Sequence, residues 1–392
     1  MSQGHPGTPR LLRKLNDRAA LELLLTIGPL TRAELGEHTG LSKVTSGQLL
    51  ARLEERGLVA VSGERPGGRG PNAALYAVVP SSAYVAGLEV QPGSVTAGVA
   101  DITGTVVAER TVDVAGSVDP VKAVHAAVRR VCDEAGISLA SLRALVIGTR
   151  GVVDPRTGDV RFSFDLPAWH AGVLADLRAA LGSSVMIEND VNLAALAEHS
   201  HGAARGVDDF VLVWTGVGQG LGVMLGSRLH RGFTGGAGEI GWLPVPGEPL
   251  PVDVTAPQSG SFQRLVGLTA VTSLAREHGV PAAADVTAAD IVRTAVTTAC
   301  DPFLDALALR LAIGVAAVTV VLDPRLVVLS GDVGRAGGTA LTTRVEEAVA
   351  AICPSRPHVT VTEVPGSPVL RGALTAALTQ AREQVFSNTV DT

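Results

Sequence analysis

Cysteine is nearly absent from this sequence, and two classes of scaffold go with it. Cys132, Cys300 and Cys353 are scattered through 392 residues without a paired spacing, so neither a disulfide framework nor a zinc knuckle can be read from them. A reducing, cytoplasmic setting is the expectation. Aromatic residues make up only 3% against 46% hydrophobic residues, which leaves a core built mainly from Ala, Val and Leu. With charged residues at 18%, that balance describes a folded globular chain rather than a disordered one. An apolar leader core is missing too from the start, MSQGHPGTPR, so no secretory segment is expected. The most apolar helix candidate, Pro302 to Leu322, carries Asp305 and Arg310. It is expected inside the fold, with no membrane partner.

Excess positive charge is missing everywhere except at the front. Ten Lys and Arg face seven Asp and Glu over residues 1–80, which leaves +3 there and −9 on the rest of a chain whose total is −6. A basic head on an acidic body predicts that only the head meets a polyanion. The length suggests two or three units of ordinary size.

The head, residues 1–80, reads as three helices and a wing. Leucines and alanines from Leu15 to Leu25 recur at helical spacing until Gly28 and Pro29 break the pattern. Thr31 and Glu34 have capping-box spacing for a short second helix that ends at Gly40. A third helix starts behind Ser42, buries Leu49, Leu50 and Leu53, and presents Lys43, Thr45, Ser46 and Gln48 near its start. Two β-prone runs follow, joined by a glycine-rich loop with Arg65 and Arg69. This outline is a winged helix-turn-helix. Lys43, Arg65 and Arg69 can neutralise phosphates, and Ser46 and Gln48 can reach base edges in a major groove, while Thr45 suits the groove or packing against the second helix equally. A three-helix protein-interaction domain with solvated charges is the alternative.

The body, residues 81–392, opens with three consecutive strands, AYVAGLEV, SVTAGVAD and GTVVAERTVDV, and continues in α/β alternation. From Asp208 the plan begins again with DFVLVWTGVGQGLGVMLG. Two such halves suggest a duplicated architecture.

The segments GVVDPRTGDV, IENDVNLAALAE, TGVGQGLGVMLG, GGAGEIGW and LSGDVGRAGG occur in this order. Through them the chain from about Tyr84 to Val385 resembles the ROK family of sugar kinases and sugar-responsive repressors. The winged head is similar to that of the repressor branch. The resemblance implies an α/β fold class: a winged helix-turn-helix followed by a two-lobed, actin-like (ribonuclease H-like) domain. Its lobes would span about 81–190 plus the C-terminal helix, and 191–366.

The same resemblance assigns site residues. Asp190 matches the family's catalytic aspartate and Asn189 a neighbouring sugar ligand; capping of its helix is the plain alternative for Asp190. Glu239, in GGAGEIGWLPVPGE, matches a hydroxyl acceptor. Trp242 stands where the family has a zinc-binding histidine, and Ser261 and Gln263 stand against its last cysteine and a sugar-holding glutamate. All zinc ligands are missing together, so no metal is expected. His199 and His201 are expected at a surface helix end. Asp165 and Trp169 match a pocket-edge segment, although Trp169 also suits a core. Kinases of the family carry a DxGGT turn for nucleotide phosphates, whereas this chain has Glu89, Gln91, Pro92 and Ser94 there; Pro92 also removes a backbone donor. No cofactor and no catalytic residue are therefore expected.

These readings point to a DNA-binding regulator, a repressor, whose degenerate kinase-like body senses a sugar or sugar derivative through Asn189, Asp190, Glu239, Trp242 and Gln263. Its partners would be a palindromic double-stranded operator and further copies of itself, as a homodimer or homotetramer. An active sugar kinase with an appended head, and a regulator that has lost small-molecule sensing, are the rivals.

Overall fold

The computed structural model describes residues 9–66, 72–114, 119–163, 166, 169, 171–182, 184–254, 259–283 and 286–387. The head comprises α1 (Pro9–Thr26), β1 (Leu30–Thr31), α2 (Arg32–Thr39), α3 (Lys43–Glu55), β2 (Val59–Arg65) and β3 (Ala73–Val78). Thr31 and Glu34 form the capping box that their spacing predicts, and Ser42 caps α3 by accepting the Thr45 N–H at 3.2 Å. The two wing strands gain an unforeseen third, because β1 pairs with β3. Asp17 of α1 is fully buried and accepts Arg52 Nη2 of α3 at 2.6 Å. Burial pushes its carboxyl up from the usual range, against the pull of Arg52.

Lobe one follows with β4 (Tyr84–Gln91), β5 (Ser94–Asp101), β6 (Val106–Asp113), α4 (Pro120–Ala135), β7 (Leu142–Thr149), β8 (Val152–Val153), β9 (Val160–Phe162), α5 (Val173–Leu181) and β10 (Val185–Asn189). Next come α6 (Asp190–His201), β11 (Phe210–Thr215), β12 (Gln219–Leu225), β13 (Arg228–Leu229), α7 (Ser261–Val266), α8 (Leu268–Glu277), α9 (Ala288–Thr297) and α10 (Asp301–Leu322). The chain closes with β14 (Leu326–Ser330), α11 (Gly331–Ile352), β15 (His358–Val361) and α12 (Pro368–Ser387).

Each lobe is built on a five-stranded sheet, β6-β5-β4-β7-β10 in one and β13-β12-β11-β14-β15 in the other. In both, the first three strands form an antiparallel meander and the last two join it in parallel. This is the duplication that the repeated strand pairs suggest.

Alternation along the strands decides which helices each sheet face receives. In β7, Leu145 and Ile147 join the core under α4 and α5, while Ala144 and Val146 face the cluster that holds α12. In β11, Val211 and Val213 pack with α10 and α11, and Phe210 and Leu212 with α6. Helix α10 is long and apolar enough to cross a membrane, yet Phe303, Leu304, Leu307 and Leu311 are at most 2% exposed within the lobe-two core. It is the buried helix the sequence predicts.

Helices α6 and α12 lie between the sheets and pack on each other. Their approach is close: a Cβ at Gly372 would overlap the Leu193 carbonyl oxygen. The apolar cluster around α12 also takes in Leu21 and Leu24 of α1 and Leu193 of α6. One continuous core therefore runs from the inter-lobe helices into the head.

Candidate functional site

A cleft of about 330 Å³ opens between the lobes, lined by residues of both. Asn189, Asp190, Glu239, Trp242 and Gln263 all line it, so residues spread over 75 positions of sequence meet at one cavity. Asn189 ends β10 and caps α6: its Oδ1 accepts the Asn192 N–H at 3.0 Å, and its Nδ2 donates to the Gly151 carbonyl at 3.0 Å. That geometry leaves an acceptor lone pair and one N–H for a ligand. Asp190 is not the cap; it is the first residue of α6, and its Oδ1 accepts the Val191 N–H at 2.9 Å. Burial pushes its carboxyl up to about 7, Glu89 and Glu239 push the same way, and Arg150 opposes them.

Glu239 hangs on a glycine-bound loop. Gly238 has φ +99°, and a Cβ there would overlap the Leu221 carbonyl oxygen, so only glycine brings the loop this close to β12. The Leu221 N–H in turn donates to the Gly238 carbonyl at 2.8 Å. Burial raises the Glu239 carboxyl above its ordinary value. Trp242 closes the 3-10 turn that follows and lines the cleft, where an indole can lie against the C–H face of a sugar ring. Gln263 is buried, and its Nε2 donates to the Val217 carbonyl at 3.1 Å, which ties α7 to the β11–β12 hairpin.

The donors that a zinc ion needs are not assembled around this loop. Trp242 offers none, and the Ser261 hydroxyl donates to the Pro249 carbonyl at 2.9 Å. Among the described residues no group of three His, Cys, Asp or Glu forms a metal-sized cluster. The residues do not fit the metal. His199 stacks on Phe210, and His201 Nε2 lies 3.2 Å from the Thr375 hydroxyl. Trp169 is 5% exposed in the lobe-one core, in line with the core reading of this residue and not with a ligand contact. Asp165 lies outside the described residues.

Where phosphates would have to be gripped, side chains stand instead. Pro92 and Gly93 form a two-residue turn between the paired Gln91 and Ser94. The Glu89 carboxylate accepts Gln91 Nε2 at 2.7 Å and the Ser367 hydroxyl. Three further residues line the cleft, of which Gln219 and Asp332 fall inside the segments TGVGQGLGVMLG and LSGDVGRAGG. Arg150 directly follows β7, at the carboxyl end of a parallel strand where ligand clefts form. Gln219 and Asp332 open β12 and α11.

On the head, Lys43 and Gln48 of α3 are exposed, and Val44 between them is 70% exposed. Thr45 is partly buried, with its hydroxyl 2.9 Å from that of Ser42. Ser46 corrects the base-contact expectation: it is fully buried against Gly36 of α2, and its hydroxyl donates to the Ser42 carbonyl at 3.1 Å. Arg65 is exposed and ion-paired with Glu34, so part of its charge is already matched inside the head. Arg69 lies outside the described residues.

Comparison with known proteins follows this division. Residues 85–379 match the model of the ROK family, and residues 14–70 match that of the MarR family. Over 250 residues the chain is 25% identical to the DNA-binding transcriptional dual regulator NagC of Escherichia coli (strain K12), a match covering 63% of this chain and 61% of that one. It thus spans about 61% of the length of this curated relative. It is also 32% identical over 245 residues to a glucokinase of Thermotoga maritima, covering 58% of this chain and 75% of that one. Among solved structures, a ROK family transcriptional regulator described as a homologue of the E. coli MLC protein superposes with a TM-score of 0.73. That match covers 97% of this chain and 100% of the other at 16% identity, and so bears on the fold alone.

Proposed function

The chain belongs to the ROK family, and from that premise we propose that it is a non-enzymatic, DNA-binding transcriptional repressor whose cleft senses a sugar or sugar derivative. One observation carries the reading. The hydroxyl-binding side of the cleft keeps Asn189, Asp190 and Glu239, while the phosphate side is filled by the Glu89, Gln91 and Ser367 side chains. Such a cleft holds a sugar without activating a nucleotide. Lys43, Gln48 and Val44 on α3 supply the face for the major groove.

The route from effector to operator is short. Asp190 begins α6, α6 packs along α12, and α12 packs against α1 of the head. A sugar that binds one lobe arrangement better than the other shifts α6 on α12 and with it the placement of α3. A single α3 covers little DNA, so the working form is a homodimer or homotetramer on a palindromic operator in the cytoplasm.

The test begins with selection of duplexes from a random library on the full chain. Affinity for the selected duplex is then measured at fixed salt with and without D-glucose, D-xylose and N-acetyl-D-glucosamine. A sugar that lowers the affinity supports the reading. Unchanged affinity with every sugar overturns the sensing half, and failure to select any duplex overturns the DNA half. The likeness to a glucokinase favours a second reading, a kinase with a regulatory head, which ATP-dependent phosphorylation of any of the three sugars would establish.

A further inference from the structure

We propose that the cleft selects an unphosphorylated sugar and rejects the phosphate ester of the same sugar. This rests on the sugar-sensing reading above and narrows it to a ligand class. Among the described residues, four carboxyl groups line the cleft, Glu89, Asp190, Glu239 and Asp332, against two guanidinium groups, Arg150 and Arg335. The Arg335 guanidinium is turned to backbone: its Nη2 donates to the Val364 and Gly366 carbonyls at 3.2 and 3.3 Å. Arg150 acts on Asp190. Among the described residues no lysine or histidine lines the cavity.

Helix ends are the other common source of positive potential for a phosphate. Both α6 and α11 begin at the cleft, and each carries its own carboxylate in the first turn, Asp190 in α6 and Asp332 in α11. At α11 the positive end of the dipole is therefore matched by Asp332, and at α6 the Asp190 side chain already accepts an N–H of the first turn, that of Val191. The turn between β4 and β5 adds a third obstacle, since Glu89 and its partners Gln91 and Ser367 occupy it.

An independent observation asks for a hydroxyl. Gln219 lines the cleft, is 8% exposed, and donates its Nε2 to the Gly216 carbonyl at 3.3 Å. Its Oε1 is buried without a hydrogen-bond partner among the described residues. A buried acceptor left unmatched costs free energy. A hydroxyl placed at this position can donate to it, whereas a phosphate dianion placed there has no proton to offer.

The experiment is calorimetry on the full chain with paired probes: D-glucose and D-glucose 6-phosphate, N-acetyl-D-glucosamine and its 6-phosphate, and inorganic phosphate alone. The free sugar is expected to bind roughly tenfold or more tighter than its ester, since unscreened like charges in a closed cleft repel at this level. Inorganic phosphate is expected to give no binding heat with the parent chain. The Glu89→Gln, Asp332→Asn double variant is expected to narrow the sugar-to-ester ratio. An ester that binds as tightly as its sugar, or inorganic phosphate that binds the parent, overturns the inference while leaving sugar sensing intact. Absence of binding by every sugar and ester overturns the sensing reading and this inference together.

Discussion

Lobe one and lobe two share a strand order but carry different burdens. The sheet of lobe one supports α12, and through α12 the head, so it holds everything that can report on DNA. The sheet of lobe two supports α10 and α11 and carries the loop with Glu239 and Trp242, so it holds much of what can recognise a ligand. Helix α6 packs on both, with Leu193 in the lobe-one cluster and Ala194 and Ala195 in the lobe-two cluster. A duplicated fold can thus separate recognition from output while one helix touches each.

The sharpest way to break that division is at the α6–α12 contact. Gly372→Val would drive a side chain into the Leu193 backbone, and overpacking of two close helices is expected to cost about 3 kcal/mol or more. Thermal unfolding checks it, and a variant that melts with the parent would remove α12 as the frame of lobe one. Next in size, Glu239→Ala on the recognition side is expected to weaken a bound sugar by roughly 1.5–3 kcal/mol, the worth of a hydrogen bond to a charged acceptor. Operator affinity without sugar should stay within about twofold, because the residue lies outside the head. Calorimetry and DNA binding measured together test it; parallel losses in both would merge the two roles. On the output side alone, Lys43→Ala is expected to reduce the salt slope of operator binding by about one and to leave sugar affinity unchanged.

A pH-dependent effect concerns Asp190, where the lobes meet. Its carboxyl sits at about 7 in the fold, above the unfolded-state value of about 4. The sign follows from proton linkage: the neutral form is favoured by folding, so its contribution is complete below about pH 4 and lost as the pH rises through about 7. Asp190→Asn, which cannot ionise, is expected to match the parent near pH 4 and to melt above it near pH 8. Melting curves across that range decide it, and parallel curves would mean that the carboxylate is well solvated.

Much of this is legible in local sequence. The capping box at Thr31 and Glu34, the strand at Leu142–Thr149 and the strand-to-helix junction at Asn189 and Asp190 all follow from local pattern. Ser46 reads as exposed because polar residues early in a helix commonly are, whereas the missing side chain of Gly36 on α2 leaves room for the close approach that encloses it. Gln219 and Asp332 lie inside the segments TGVGQGLGVMLG and LSGDVGRAGG, yet neither shows a role there, since a glutamine in a glycine-rich hairpin and an aspartate at a helix start each have ordinary local explanations. Their common wall exists only once β12 and α11 face the same cavity.

Local pattern set the kinds and order of elements, the basic head, the duplicated α/β body and the lack of cysteine and histidine over residues 240–265. These depend on periodicity, turn chemistry and residue identity, which act over a few positions. Tertiary structure decided which residues share the cleft, which polar groups in it are already engaged, and how α6 and α12 join it to the head. Those outcomes depend on backbone approaches such as Gly372 to Leu193 and Gly238 to Leu221, between segments that are far apart in the chain or lie on different elements.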